Sequence, residues 1–181
     1  MKKIFLTSKT LIASFLVVII TGLTGRFFGV TGFSFAWVLN FTLMAWFTYI
    51  NSIYKFPLKS SYFKSRSWER NTRIYNLLGI TYFKKLLVLT GWEKITRKEN
   101  PIKKDPRSLK LLVNNSRSSE FGHLVIAIIV LIFTVIVSHT LKDAMWLLIT
   151  NILLNIYPVL LQRYNRQRYE RFEKYFETES V

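Results

Sequence analysis

The chain has 181 residues, half of them hydrophobic, yet carries a net charge of +16. It contains no cysteine, which excludes disulfides, thiolate metal sites and a cysteine nucleophile, and its two histidines do not make a multi-histidine metal centre. No Gly-rich phosphate loop, Gly-x-Ser-x-Gly elbow or Rossmann fingerprint occurs, so neither a metal nor a cofactor is expected.

The apolar residues gather in four stretches, 11–30, 33–50, 121–139 and 144–161. At 1.5 Å per residue, about 18–20 residues cross the ~30 Å hydrocarbon core. The expectation is an all-α integral membrane protein with about four transmembrane helices. Met1-Lys2-Lys3 followed by an apolar run has the outline of a secretory signal. The run continues through Gly25-Arg26-Phe27 without a small-x-small cleavage site. A second apolar stretch follows almost at once, which predicts a retained helical hairpin over 1–50. The whole chain, 1–181, reads as a single membrane domain, whose remainder is a basic segment, 51–119, and a C-terminal hairpin with a basic tail, 120–181.

Within 51–119, Trp68, Tyr75, Tyr82, Phe83 and Trp92 interleave with Arg66, Arg70, Arg73, Lys84 and Lys85. The run 74–83 is apolar but too short to span. It predicts an amphipathic helix in the headgroup layer, where rings settle and cations meet anionic lipid headgroups. Tethering between spans favours this membrane-surface role over nucleic-acid binding. Residues 97–119, with Pro101, Pro106 and Asn114-Asn115, read as a polar connection.

Two polar sites flank the last two apolar stretches. Glu120 and His123 are three residues apart and share a helix face. A carboxylate can hold an imidazole in one tautomer, leaving the other nitrogen to activate an alcohol for attack on a thioester. An interfacial pair at a helix start satisfies the same spacing. On the following helix, Asn151, Asn155, Gln162 and Arg166 lie four, seven and four residues apart and form one polar stripe. Pro158 cannot donate to the carbonyl of Leu154, which predicts a kink with an exposed acceptor. Asn155 and Gln162 can donate to a ligand oxygen, while Arg163, Arg166 and Arg168 can bind phosphate. Helix-to-helix bonding by the amides and headgroup anchoring by the arginines are the competing structural roles.

Glu120-x-x-His123, with Asn155-x-x-Pro158-x-x-x-Gln162-Arg163-Tyr164-Asn165-Arg166-x-Arg168, resembles the glycosyl-4,4′-diaponeurosporenoate acyltransferase family. The likeness is close over 115–172. It extends more loosely through Trp68-Glu69, Tyr75 and Tyr82-Phe83-Lys84-Lys85. Asn115-Ser116-Arg117-Ser118-Ser119 departs from the family's Glu-Thr-x-Arg-x, and Phe83-Lys84-Lys85 from its Trp-Lys element. The resemblance implies a membrane acyltransferase that moves a fatty acyl group to a sugar hydroxyl of a glycolipid or glycosyl carotenoid. In that reading His123 is the base and Glu120 orients it. Asn151, Asn155, Gln162, Tyr164 and Asn165 contact the acceptor or the developing oxyanion, and Arg163, Arg166 and Arg168 hold the phosphate of acyl-CoA or an acyl carrier protein. A lipid-modifying reductase or methyltransferase, and a non-enzymatic lipid-binding or assembly subunit, are the alternatives.

Charge placement sets the expected topology. Sixteen of the 26 Lys and Arg residues fall in 51–119, whereas the two short turns hold only Arg26 and Lys142. By the positive-inside rule both termini, the middle segment and the site face the cytoplasm of a multi-pass cell-membrane protein. A reporter fused after Val181 is expected to read out on the cytoplasmic side, and an external signal would reverse the assignment.

Overall fold

The computed structural model describes residues 2–56, 58–66, 69, 72–99 and 105–179, all helical or irregular with no strand among them. Trp68, Arg70 and Pro101 lie outside the described residues. The helices are α1 (Lys2–Phe28), α2 (Phe33–Tyr54), α3 (Thr72–Leu77), α4 (Ile80–Leu89), α5 (Trp92–Glu99), α6 (Pro106–Val137), α7 (Leu141–Asn151) and α8 (Tyr157–Glu179). A π-helical turn, Ile152–Ile156, joins α7 to α8. Four segments are long and apolar enough to cross a membrane: Leu6–Phe28, Phe33–Tyr54, Pro106–Val137 and Leu141–Glu173. The chain is an all-α membrane protein.

It folds as two compact units, each assembled from two separate segments: 1–57 with 122–156, and 58–121 with 157–181. These interleave along the chain. The reason is that the last two long helices each extend well past their apolar stretch.

In the first unit, α1 and α2 form the expected hairpin. Gly29, at φ 76°, makes the turn. Trp46 Nε1 donates to Ser14 Oγ at 3.0 Å, and the Thr10 and Tyr54 hydroxyls meet at 3.2 Å. The rest of α1 presents Leu11, Phe15, Val18 and Phe27 outward, as a lipid-facing helix should. α6 lies against α2 closely enough that a Cβ on Gly122 would come within 2.7 Å of the Phe47 ring. Any side chain at Gly122 therefore has to displace that ring. Thr140 caps α7 by accepting from the Asp143 N–H, and the Asp143 carboxylate accepts from the Thr140 N–H in return.

The second unit departs from expectation in two places. Residues 106–119 are helical and form the first half of α6. Pro106 occupies the first turn, where its missing N–H is harmless, and Asp105 accepts from the Ser108 N–H at 2.8 Å. Leu109, Leu112, Val113, Ser116 and Glu120 are buried at helical spacing, with Asn114 and Asn115 on the exposed side. The run 74–83 is two helices instead of one, because Gly79 adopts φ 78° between α3 and α4. On α4, Ile80 and Phe83 face the core, the latter stacked on Tyr157 at 5.1 Å. Its other face exposes Tyr82, Leu86 and Leu89, and the exposed apolar row continues at Trp92 and Ile95 of α5. Such a row suits a lipid interface and is costly in water.

Candidate functional site

The candidate residues fall into two polar clusters, one in each unit. The first unit holds a cluster of neutral groups. Its centre is Asn155, fully buried in the π-helical turn. Pro158 has no N–H to offer the Leu154 carbonyl, and the ladder widens into the π-helical turn just before it. Asn155 Nδ2 donates to Asn40 Oδ1 at 2.6 Å and to Asn151 Oδ1 at 2.9 Å. Its Oδ1 lies 3.4 Å from His123 Nδ1. Asn151 in turn donates to the Ala127 carbonyl at 3.0 Å. Asn40, absent from the sequence-based site, donates to the Ala36 carbonyl at 2.8 Å and to Thr150 Oγ1 at 3.2 Å.

Backbone carbonyls can only accept, so Ala127 and Ala36 fix which way Asn151 and Asn40 point. Both then turn an oxygen towards Asn155, which must answer with its NH₂ group. Flipping the Asn155 amide would trade two good bonds for one long one, at about 1–3 kcal/mol for each buried group left unpaired. Its oxygen is therefore held facing His123. A ring nitrogen that meets a fixed acceptor carries the proton, here Nδ1. The lone pair of the neutral ring is then on Nε2.

The second unit holds a charged cluster. Glu120 accepts from Arg163 Nε at 2.7 Å through one oxygen and from Arg166 Nη1 at 2.6 Å through the other. Arg163 also donates to Glu69 Oε1 at 2.6 Å and to the Tyr62 carbonyl at 3.2 Å, with its guanidinium 4.6 Å over the Tyr62 ring. Glu69 is held in turn by its other oxygen, as Oε2 accepts from the Arg66 N–H at 2.8 Å. Glu120, Glu69 and Arg166 are at most 1 % exposed. Beside them, burial pushes Tyr75 up to about 12, with the Glu69 charge adding to the effect. Tyr75 therefore stays neutral at physiological pH, and its hydroxyl accepts from Gln167 at 3.3 Å.

This geometry redistributes the expected roles. Glu120 was expected to orient the His123 imidazole, but both its oxygens are held by arginines, and the group on Nδ1 is Asn155. Arg163 and Arg166 were expected at a phosphate, but two buried carboxylates balance their two charges. Arg168 is exposed, 6.0 Å from the Tyr164 ring, which Lys84 approaches at 5.1 Å. Gln162 and Asn165 are half-buried with no side-chain hydrogen bond to other described residues. Only the Asn151–Asn155 part of the predicted stripe forms a bonded pair. In the sequence, Glu69 stands out only through the looser likeness at Trp68-Glu69. A lone amide in an apolar span was the available signal for Asn40.

The glycosyl-4,4′-diaponeurosporenoate acyltransferase (CrtO) family matches residues 59–174, well over half of the chain. The chain belongs to this family. Its activity is accordingly that of an acyltransferase acting on a glycosyl carotenoid, and both polar clusters draw most of their residues from the matched region. The α1–α2 hairpin, with Asn40, precedes that region. No curated protein and no solved structure matches the chain.

The charged cluster yields a stability prediction. Removing one member of a buried ion pair leaves its partner uncompensated, at about 3–5 kcal/mol. Glu120→Ala is therefore expected to lower unfolding free energy by about 3 kcal/mol or more in detergent denaturation. A loss below about 1 kcal/mol would mean the arginines are satisfied without it.

Proposed function

We propose that this acyltransferase moves a fatty acyl group from a cytoplasmic thioester, acyl-CoA or acyl carrier protein, to a sugar hydroxyl of a membrane-embedded glycosyl carotenoid. His123 is the general base. Support comes from one observation above the others: its Nδ1 faces an Asn155 oxygen whose orientation two backbone carbonyls dictate, so Nε2 is the basic nitrogen.

The chemistry follows from that tautomer. Nε2 takes the proton of the acceptor hydroxyl as its oxygen attacks the thioester carbonyl. The tetrahedral intermediate collapses, the C–S bond breaks, and the imidazolium returns its proton to the departing thiolate. Asn155 serves the imidazole as Glu120 was expected to, holding the Nδ1–H and thereby the ring. A neutral partner suits an apolar interior better than a carboxylate, which would need its own counter-charge. Glu120 acts on architecture, fixing α6 to α8 within its unit through Arg163 and Arg166. The exposed Arg168 and the Lys84–Tyr164 pair form a cationic surface suited to the donor's phosphates. The charge asymmetry of the chain supports a site on the cytoplasmic side, where both thioester donors are found.

General acid–base catalysis contributes about 10²–10⁴-fold. With labelled acyl-CoA or acyl carrier protein and membranes containing glycosyl carotenoid, His123→Ala is expected to lose about 100-fold or more in acyl transfer. Undiminished transfer by the variant would remove His123 from the reaction.

A further inference from the structure

We infer that Asn40 is a positioning residue for acyl transfer, setting the tautomer of His123 through Asn155 from a helix that precedes the family-matched residues. The inference rests on the reading of His123 as base and extends it.

Asn40 is fully buried in α2, among the apolar side chains of Ala36, Leu39 and Leu43 that the same helix buries. A polar side chain there needs partners, and helix-to-helix bonding alone would be satisfied by an amide in either orientation. Here only one orientation works. The Ala36 carbonyl, four residues back on the same helix, accepts from Asn40 Nδ2 and cannot do otherwise. The amide oxygen is thereby turned towards Asn155, at 2.6 Å, the shortest bond in the amide cluster. Asn155 has two amide hydrogens, and Asn151 takes only one. Without the Asn40 oxygen the other is left in an apolar surrounding, and rotating the amide to find a partner turns NH₂ towards His123. Nδ1 then becomes the acceptor, the proton moves to Nε2, and the ring cannot take a proton from an alcohol. The sequence of directed bonds is Ala36 carbonyl, Asn40, Asn155, His123. A consequence is that the N-terminal hairpin is part of the catalytic apparatus.

The test uses the full chain in lipid bilayers, labelled with ¹⁵N-histidine and carrying His139→Gln so that a single imidazole is observed. Ring nitrogen shifts at a pH where the imidazole is neutral report which nitrogen bears the proton. Wild type is expected to show protonated Nδ1. Asn40→Leu is expected to give a mixture of tautomers and a kcat lower by about tenfold or more, with KM for both substrates within about twofold. Asn40→Asp keeps an oxygen facing Asn155 and is expected to retain the Nδ1–H form. Asn40→Leu with the wild-type tautomer would overturn the inference, whatever its rate. A shifted tautomer with full activity in both Asn40→Leu and His123→Ala would uphold the positioning role and sink the base reading instead. Should Asn40→Leu fail to accumulate, Asn40→Ser, whose hydroxyl is too short to reach Asn155, is read in the same way.

Discussion

Asn155 donates both of its amide hydrogens and has one carbonyl oxygen left over. In a membrane interior every polar group must find its partner inside the protein, because lipid offers none. That constraint makes the amide cluster directional. Two backbone carbonyls, of Ala36 and Ala127, act as fixed acceptors at its edges, and the choice of donor and acceptor propagates inward to His123. A neutral cluster thereby performs what a buried carboxylate does in a serine hydrolase, namely choosing the tautomer of an imidazole, without placing a charge in an apolar core.

The charged groups are handled differently. Glu69, Glu120, Arg163 and Arg166 neutralise one another two against two. The desolvation of four ions largely offsets their mutual attraction, so the cluster contributes less to stability than its short distances suggest. Its effect is specificity: Arg163 meets Glu120, Glu69 and the Tyr62 carbonyl together only when α6, α8, Tyr62 and Glu69 are correctly placed. Motif reading alone assigns Arg163 and Arg166 to the donor's phosphate. In the structure both guanidinium groups are paired with buried carboxylates, whereas Arg168, directly after the buried Arg166 and Gln167, is exposed.

Much of this was legible in the chain itself. The four spans follow from apolar length, and the Asn151–Asn155 pair from a four-residue spacing. The family resemblance carried by Gln162 to Arg168 agrees with the match over 59–174. Three features of the structure are hidden from the sequence for identifiable reasons. Pro106 and Asn114-Asn115 looked like breakers. Proline is innocuous in a first helical turn, and the asparagines ride the exposed face of a helix whose buried positions repeat regularly from Leu109 to Glu120. Glu120 was paired with His123 because three residues separate them. Spacing along one helix cannot report that arginines 43 and 46 residues later take both carboxylate oxygens. Asn40 has no motif around it, and its role depends on a contact across 115 residues. Long-range polar pairing of this kind leaves only a weak trace in sequence: an amide where a leucine would be expected.

The direct test is a structure of the enzyme in lipid with its glycosyl carotenoid acceptor bound. A sugar hydroxyl is expected about 2.6–3.2 Å from His123 Nε2, with Nδ1 still facing Asn155. An acceptor whose hydroxyls all lie beyond reach of that nitrogen, directly or through one water, would contradict that expectation.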